Sequence, residues 1–209
     1  MTEVRRGGCR RLWWSLNNLV IAKPVISNHD QGMKKSFLVS SFLSFFVALF
    51  SCNSFAAQLK VGDRVPDFSL SDQDGKSFQM NSRKDHWTVL YFYPKSETPG
   101  CTKQACAFRD GIDKIRALNA DVIGVSVNTV QDQASFKKNH QLNFQLLADA
   151  DGKVTEIFGA GREGAKMAQR WTFILGPDLK IREINKDVDP VKDAGRVTEA
   201  LKKFQASSR

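Results

Sequence analysis

From residue 57 onward the chain alternates short apolar runs with stretches of helical periodicity. Trp87-Thr-Val-Leu-Tyr-Phe-Tyr93 is almost continuously apolar, β-branched or aromatic, the pattern of a central strand covered on both faces. Pro94 ends it. Ala105, Phe108, Ile112, Ile115 and Leu118 then recur at helical spacing. Asp121–Val127 reads as a second buried strand, and Thr129-x-x-Asp132 caps a helix reaching about His140. Upstream, Asp67–Leu70 and Lys76–Met80 flank Asp72-Gln-Asp-Gly75 and predict an N-terminal β-hairpin. Downstream, Phe144–Leu147 predicts a short strand and Lys153–Phe158 a short helix. A second hairpin, Arg170–Leu175 with Lys180–Asn185, turns at Gly176-Pro-Asp178. A closing helix starts at Asp189-Pro190 and carries Val191, Ala194, Val197, Leu201 and Phe204 on one side. Strand–helix–strand order implies parallel pairing with right-handed crossovers. The expected architecture is therefore α/β, with helices on both faces of a central mixed sheet.

Composition adds an N-terminal extension to this picture. With 209 residues, 42% of them hydrophobic, the chain suits one globular domain and something more. Lys34-Lys35 precede an apolar or small-residue run from Phe37 to Phe50, too short for a membrane span of about 20 residues. Ser54-Phe55-Ala56 supplies small residues where a signal peptidase reads, so residues 33–56 are expected to be a signal peptide cleaved before Ala57, with the protein exported to the periplasm. A lipoprotein-like Leu49-Phe-Ser-Cys52, with a lipid anchor on Cys52, is the second reading. Met33-Lys-Lys has the form of an ordinary initiator. Residues 1–32 are accordingly expected to reflect an upstream start, and no function is assigned to them. Residues 57–209 form the expected domain.

Removing the leader also changes the charge. The net +9 comprises 7 basic and 2 acidic residues in positions 1–56, leaving 24 basic and 20 acidic beyond. No basic stripe with interleaved aromatics remains, which argues against nucleic-acid binding. Gly159-Ala-Gly-Arg-Glu-Gly164 spells a dinucleotide fingerprint, but a predicted helix precedes it and a strand follows, the reverse of the order such a site needs. It is read as a flexible loop.

The candidate chemistry lies between Pro94 and Cys106. Thr98 reads as a hydroxyl N-cap and Pro99 as the first helical residue, which puts Cys101 at the third helical position, among free N–H groups and the positive end of the dipole. Both favour the nucleophilic thiolate over the thiol. Structural thiols or a structural disulfide are the competing reading. Cys101-x-x-x-x-Cys106 has neither the Cys-x-x-Cys of thiol–disulfide exchangers nor the ligand spacing of a zinc or copper site. His86 and His140 read as surface residues at element ends.

The pattern Pro94-x-x-x-Thr98-x-x-Cys101, extended to Tyr-Pro-Lys-Ser-Glu-Thr-Pro-Gly-Cys-Thr-Lys-Gln-Ala-Cys106, resembles the peroxiredoxin active-site motif in its bacterioferritin-comigratory (Q-type) branch. Gly124-Val-Ser126, Leu146–Gly152 and Arg170-Trp-Thr-Phe-Ile174 follow in the family's order, so the likeness runs from about Val61 to the C-terminus. It departs at Leu142-Asn-Phe-Gln145, where a proline-rich turn is expected, and in the N-terminal extension.

The resemblance implies a thioredoxin-like fold and a thiol-dependent peroxidase acting on hydrogen peroxide and organic hydroperoxides. Cys101 would be peroxidatic and Cys106 resolving. Thr98, Gly100 and Arg170 would bind the peroxide, with Pro94 shielding the sulfur. An external, thioredoxin-like dithiol would be the reductant. No metal or organic cofactor is implied, and a monomer is the expected state. The alternative is a thiol–disulfide exchange or redox-binding module of the same fold without peroxidase turnover.

Overall fold

The computed structural model describes residues 58–207. The expected signal peptide, Cys52 and the first 32 residues lie outside that range. Nine strands are described: β1 (Ser69–Asp72), β2 (Ser77–Gln79), β3 (Trp87–Phe92), β4 (Ala120–Ser126), β5 (Gln145–Ala148), β6 (Gly161–Arg162), β7 (Ala165–Ala168), β8 (Trp171–Leu175) and β9 (Ile181–Asn185). The helices are α1 (Pro99–Arg116), α2 (Val130–Asn139), α3 (Lys153–Ile157) and α4 (Asp193–Ala206), with a 3₁₀ turn at Met80–Arg83. Seven strands form one sheet in the order β2-β1-β5-β4-β3-β8-β9. β3, β4 and β5 pair in parallel, and every other pairing in the sheet is antiparallel.

β3 is central because both of its faces are apolar. Trp87, Val89, Tyr91 and Tyr93 pack beneath Phe108, Ile112, Ile115, Val197 and Leu201 of α1 and α4, with Phe136 of α2 in the same cluster. Leu90 and Phe92 point the other way, against Met80, Val154 and Phe158. Helices therefore cover both faces, α3 on the second, as the sequence pattern requires. Thr129 opens α2 with a reciprocal capping box to Asp132.

Two expectations need correction. α4 begins at Asp193 rather than at Asp189-Pro190, and Val191 is exposed instead of sharing the apolar face. The Asp189 carboxylate accepts from the backbone of Val191 and Lys192, which closes a separate turn ahead of the helix. The segment read as a flexible loop is an antiparallel ribbon, β6 with β7, turning at Gly164 with φ +72°. Its exit is clamped. The Gln169 N–H donates to Ala160 O at 2.7 Å and the Gln169 side-chain amide to Gly161 O at 2.9 Å, which fixes the residue before Arg170.

Candidate active site

The site forms where β3 hands the chain to α1. Tyr93 lies on the buried face beside Phe136, and its hydroxyl donates to Gln133. Burial pushes the Tyr93 phenol up to about 12, so it stays a neutral donor. Gln133 in turn donates to Ser126 Oγ and Leu147 O, both at 2.9 Å, which ties α2 to the strand ends. The turn after Pro94 is held at Ser96, whose N–H donates to Asn128 Oδ1 at 3.0 Å. Glu97 adopts φ +64° and reaches the end of α2, where its carboxylate meets His140 Nε2 at 2.7 Å and accepts from Asn139 at 2.9 Å. The His140 bond, then that of Asn139, holds the Glu97 carboxyl below its usual range.

Thr98 is the N-cap residue by backbone conformation, with Pro99 at the first helical position. Its hydroxyl does not cap. It donates instead to Lys95 O at 2.9 Å, closing the turn on the upstream side, so the expected hydroxyl cap is corrected to a backbone-only helix start. Cys101 follows at the third helical position and is 1% exposed. Arg170, directly before β8, brings Nη2 to 3.3 Å from Cys101 Sγ, and its Nη1 donates to Gln104 Oε1 at 2.7 Å. Gly100 completes the approach, since a Cβ there would lie 3.1 Å from Arg170 Nη2.

Cys101, Gly100 and Arg170 are thus in mutual contact, with Thr98 and Pro94 on the loop that leads into them. Cys106 lies further along the same helix, half-buried, and both thiols are free. His86 is exposed just before β3, and His140 is half-buried at the end of α2, where it pairs with Glu97.

Sequence reasoning passed over Gln104 and Asp193. Both are buried polar residues on otherwise apolar helix faces, between Cys101 and Phe108 on α1 and beside Ala194 and Val197 on α4. That polar interruption of an apolar stripe was the available signal. Gln104 Nε2 donates to Asp193 Oδ2 at 2.8 Å, so the contacts run from the sulfur through Arg170 and Gln104 to α4.

A buried thiol at a helix start is touched by a guanidinium from the residue that leads into a neighbouring strand. The family model described as AhpC/TSA family matches residues 61–184. The chain belongs to the AhpC/TSA family. Within it, the relatives are peroxiredoxins of the Q and Bcp type. The chain is 38% identical to the chloroplastic peroxiredoxin Q of Oryza sativa subsp. japonica over 142 residues, which cover 67% of this chain and 65% of the rice protein. It is 38% identical to peroxiredoxin Bcp of Escherichia coli over 135 residues, 62% of this chain and 86% of that protein.

Solved structures agree. Peroxidoxin BcpB from Mycobacterium tuberculosis superposes with TM-score 0.66 at 34% identity, covering 70% of this chain and 98% of that one. A cysteine-to-serine variant of PrxQ from Xylella fastidiosa gives 0.67 at 27%, covering 73% and 99%. The fold is thioredoxin-like, as the motif resemblance implies.

Proposed function

We propose that the chain is a thiol-dependent peroxidase in which the Cys101 thiolate attacks the terminal oxygen of a hydroperoxide. The S–O bond forms as the O–O bond breaks, Cys101 becomes a sulfenic acid, and the other oxygen leaves as hydroxide or alkoxide, taking up from solvent the proton that the thiol released on ionising to become water or an alcohol. The observation that carries this reading is the 3.3 Å contact between Arg170 Nη2 and Cys101 Sγ at the start of α1. A guanidinium in that place stabilises the thiolate before attack and the negative charge developing on the leaving oxygen during it. Thr98 takes a defined role. Its hydroxyl proton is committed to Lys95 O, so its oxygen is left to accept from the O–H of the peroxide. Pro94 and Gly100 shape the mouth, and the small Gly100 leaves room for the arginine.

The cycle closes through Cys106. Its thiol condenses with the sulfenic acid, releasing water and forming a Cys101–Cys106 disulfide, which an external dithiol reduces by exchange while becoming oxidised itself. Hydrogen peroxide and organic hydroperoxides are the proposed substrates. One structural neighbour, the Xanthomonas campestris bacterioferritin comigratory protein, is described by its alkyl peroxide reduction activity. We further propose a monomer without metal or organic cofactor, exported to the periplasm and served there by a thioredoxin-like donor.

Mixing reduced protein with one equivalent of hydroperoxide and counting thiols tests the reaction. Loss of two thiols with stoichiometric peroxide consumption is expected, whereas a protein that exchanges disulfides but leaves peroxide unconsumed is the non-peroxidase module. Intact mass of the exported protein tests the location: a chain beginning at Ala57 supports export, lipidated Cys52 supports the anchored form, and a retained Met1 contradicts both.

A further inference from the structure

The Asp193 side chain is fully buried, yet it sits far along the sequence from the motif that holds the cysteines. Oδ2 accepts from Gln104 Nε2 at 2.8 Å and from Thr172 Oγ1 at 2.7 Å. Oδ1 accepts from Arg196 Nη2 at 2.9 Å and Nε at 3.2 Å. A buried carboxylate is costly, and well-packed apolar residues commonly stabilise a core as well or better. Its use here therefore calls for a reason beyond packing. Gln104 supplies one. An amide has an acceptor end and a donor end, whereas a guanidinium only donates and a carboxylate only accepts. With Arg170 on one side and Asp193 on the other, a single amide orientation satisfies both neighbours. Turned over, Gln104 would set N–H against N–H at Arg170 and oxygen against oxygen at Asp193 in a buried site.

We propose that Asp193 is a positioning residue for the active-site arginine, its carboxylate fixing the Gln104 amide so that Oε1 holds Arg170 Nη1 while Nη2 reaches Cys101. The chain of contacts joins α4 to α1 and then to the residue before β8, so three elements distant in sequence set the roll of one guanidinium. Thr172 and Arg196 hold the carboxylate from behind. This role rests on Cys101 as the reacting thiolate, but its test needs no peroxide.

Asp193→Asn keeps the shape and removes the one-sided acceptor. Alkylation of Cys101 by iodoacetamide, followed across pH on the peptide that carries it, is expected to shift to higher pH as Arg170 loses its hold. The first-turnover rate with peroxide should fall about tenfold or more, as expected when a positioned group is released. Simple loss of a nearby negative charge would shift the alkylation profile to lower pH, and a purely structural role would leave it in place with a lower Tm; either result overturns the proposal. Gln104→Leu should give the same upward shift, and Asp193→Asn should add nothing in that background, because both act on one contact. Multiplying effects would also overturn it. Should Asp193→Asn not fold, Gln104→Leu decides, and an unmoved profile there counts against the proposal. The upward shift in Asp193→Asn beside a wild type that leaves peroxide intact would refute the peroxidase reading alone.

Discussion

Cys101 and Cys106 lie on one uninterrupted helix, Pro99–Arg116. Five residues of α-helix give a rise of about 7.5 Å and a rotation near 140°, which sets the two Cα atoms roughly 8.7 Å apart. A disulfide tolerates little beyond about 7 Å. Closing the bond therefore requires residues 101–106 to leave helical geometry, which removes the hydrogen bonds donated by the amides from Thr102 to about Arg109. Those bonds, at about 1 kcal/mol net each, are offset by the backbone entropy regained, about 1–2 kcal/mol per residue. The cost of opening then falls on the side chains. Gln104 bonds one guanidinium and one carboxylate, and hydrogen bonds to charged groups contribute about 1.5–3 kcal/mol apiece, giving roughly 3–6 kcal/mol for opening. That is about 10²- to 10⁴-fold in amide protection. Hydrogen exchange should accordingly run that much faster across Thr102–Arg109 in the oxidised protein than in the reduced one. Equal protection in both forms, with the disulfide confirmed by mass, would refute the reasoning.

Other outcomes follow from single contacts. Arg170→Met removes a charge-assisted contact of about 1.5–3 kcal/mol, so stopped-flow should show the first turnover slowed about ten- to hundredfold; an unchanged rate would discount the arginine. The Tyr91 hydroxyl is buried with no hydrogen-bond partner among the described residues, so Tyr91→Phe should raise stability in urea by about 1–3 kcal/mol. In the same place Gly124→Ala should cost about 1–3 kcal/mol, because a Cβ would lie 2.8 Å from Tyr91 Cζ and 2.9 Å from Leu146 Cδ2. Glu97 has its carboxyl held low by His140 and Asn139, so its contribution is present above the unfolded value of about 4.3 and is lost as pH falls through the lower folded value. The Tm gap between wild type and Glu97→Gln should therefore narrow progressively as pH falls below about 4.3; a gap constant to about pH 3 would contradict this.

Much of this architecture was legible because it is written in local patterns. The doubly apolar run at Trp87–Tyr93 has the pattern of a central strand, and Pro99 two residues before Cys101 placed the sulfur on the first turn of α1. What escaped depends on partners far away in the chain. Thr98 has the composition of a cap, but the carbonyl of Lys95 competes for its hydroxyl, a choice the residue types leave open. Ala165-Lys-Met-Ala168 lacks the β-branched alternation of a strand, and becomes one through pairing with Gly161-Arg162 and the Gln169 clamp. Val191 continues the helical spacing of α4 yet lies outside it, because Asp189 closes a turn first. Gln104 and Asp193 are separated by 89 residues, so their meeting is a property of the fold rather than of any stretch of sequence.

The central claim, that Cys101 is the sulfur oxidised by peroxide and Cys106 only resolves it, is tested most directly by a first-turnover measurement on two variants. Reduced Cys106→Ser mixed with one equivalent of hydrogen peroxide should consume it as fast as wild type and stop after one turnover, with a sulfenic acid trapped on Cys101. Cys101→Ser should consume none. Equal loss of the first turnover in both variants, or a sulfenic acid found on Cys106, would contradict the account.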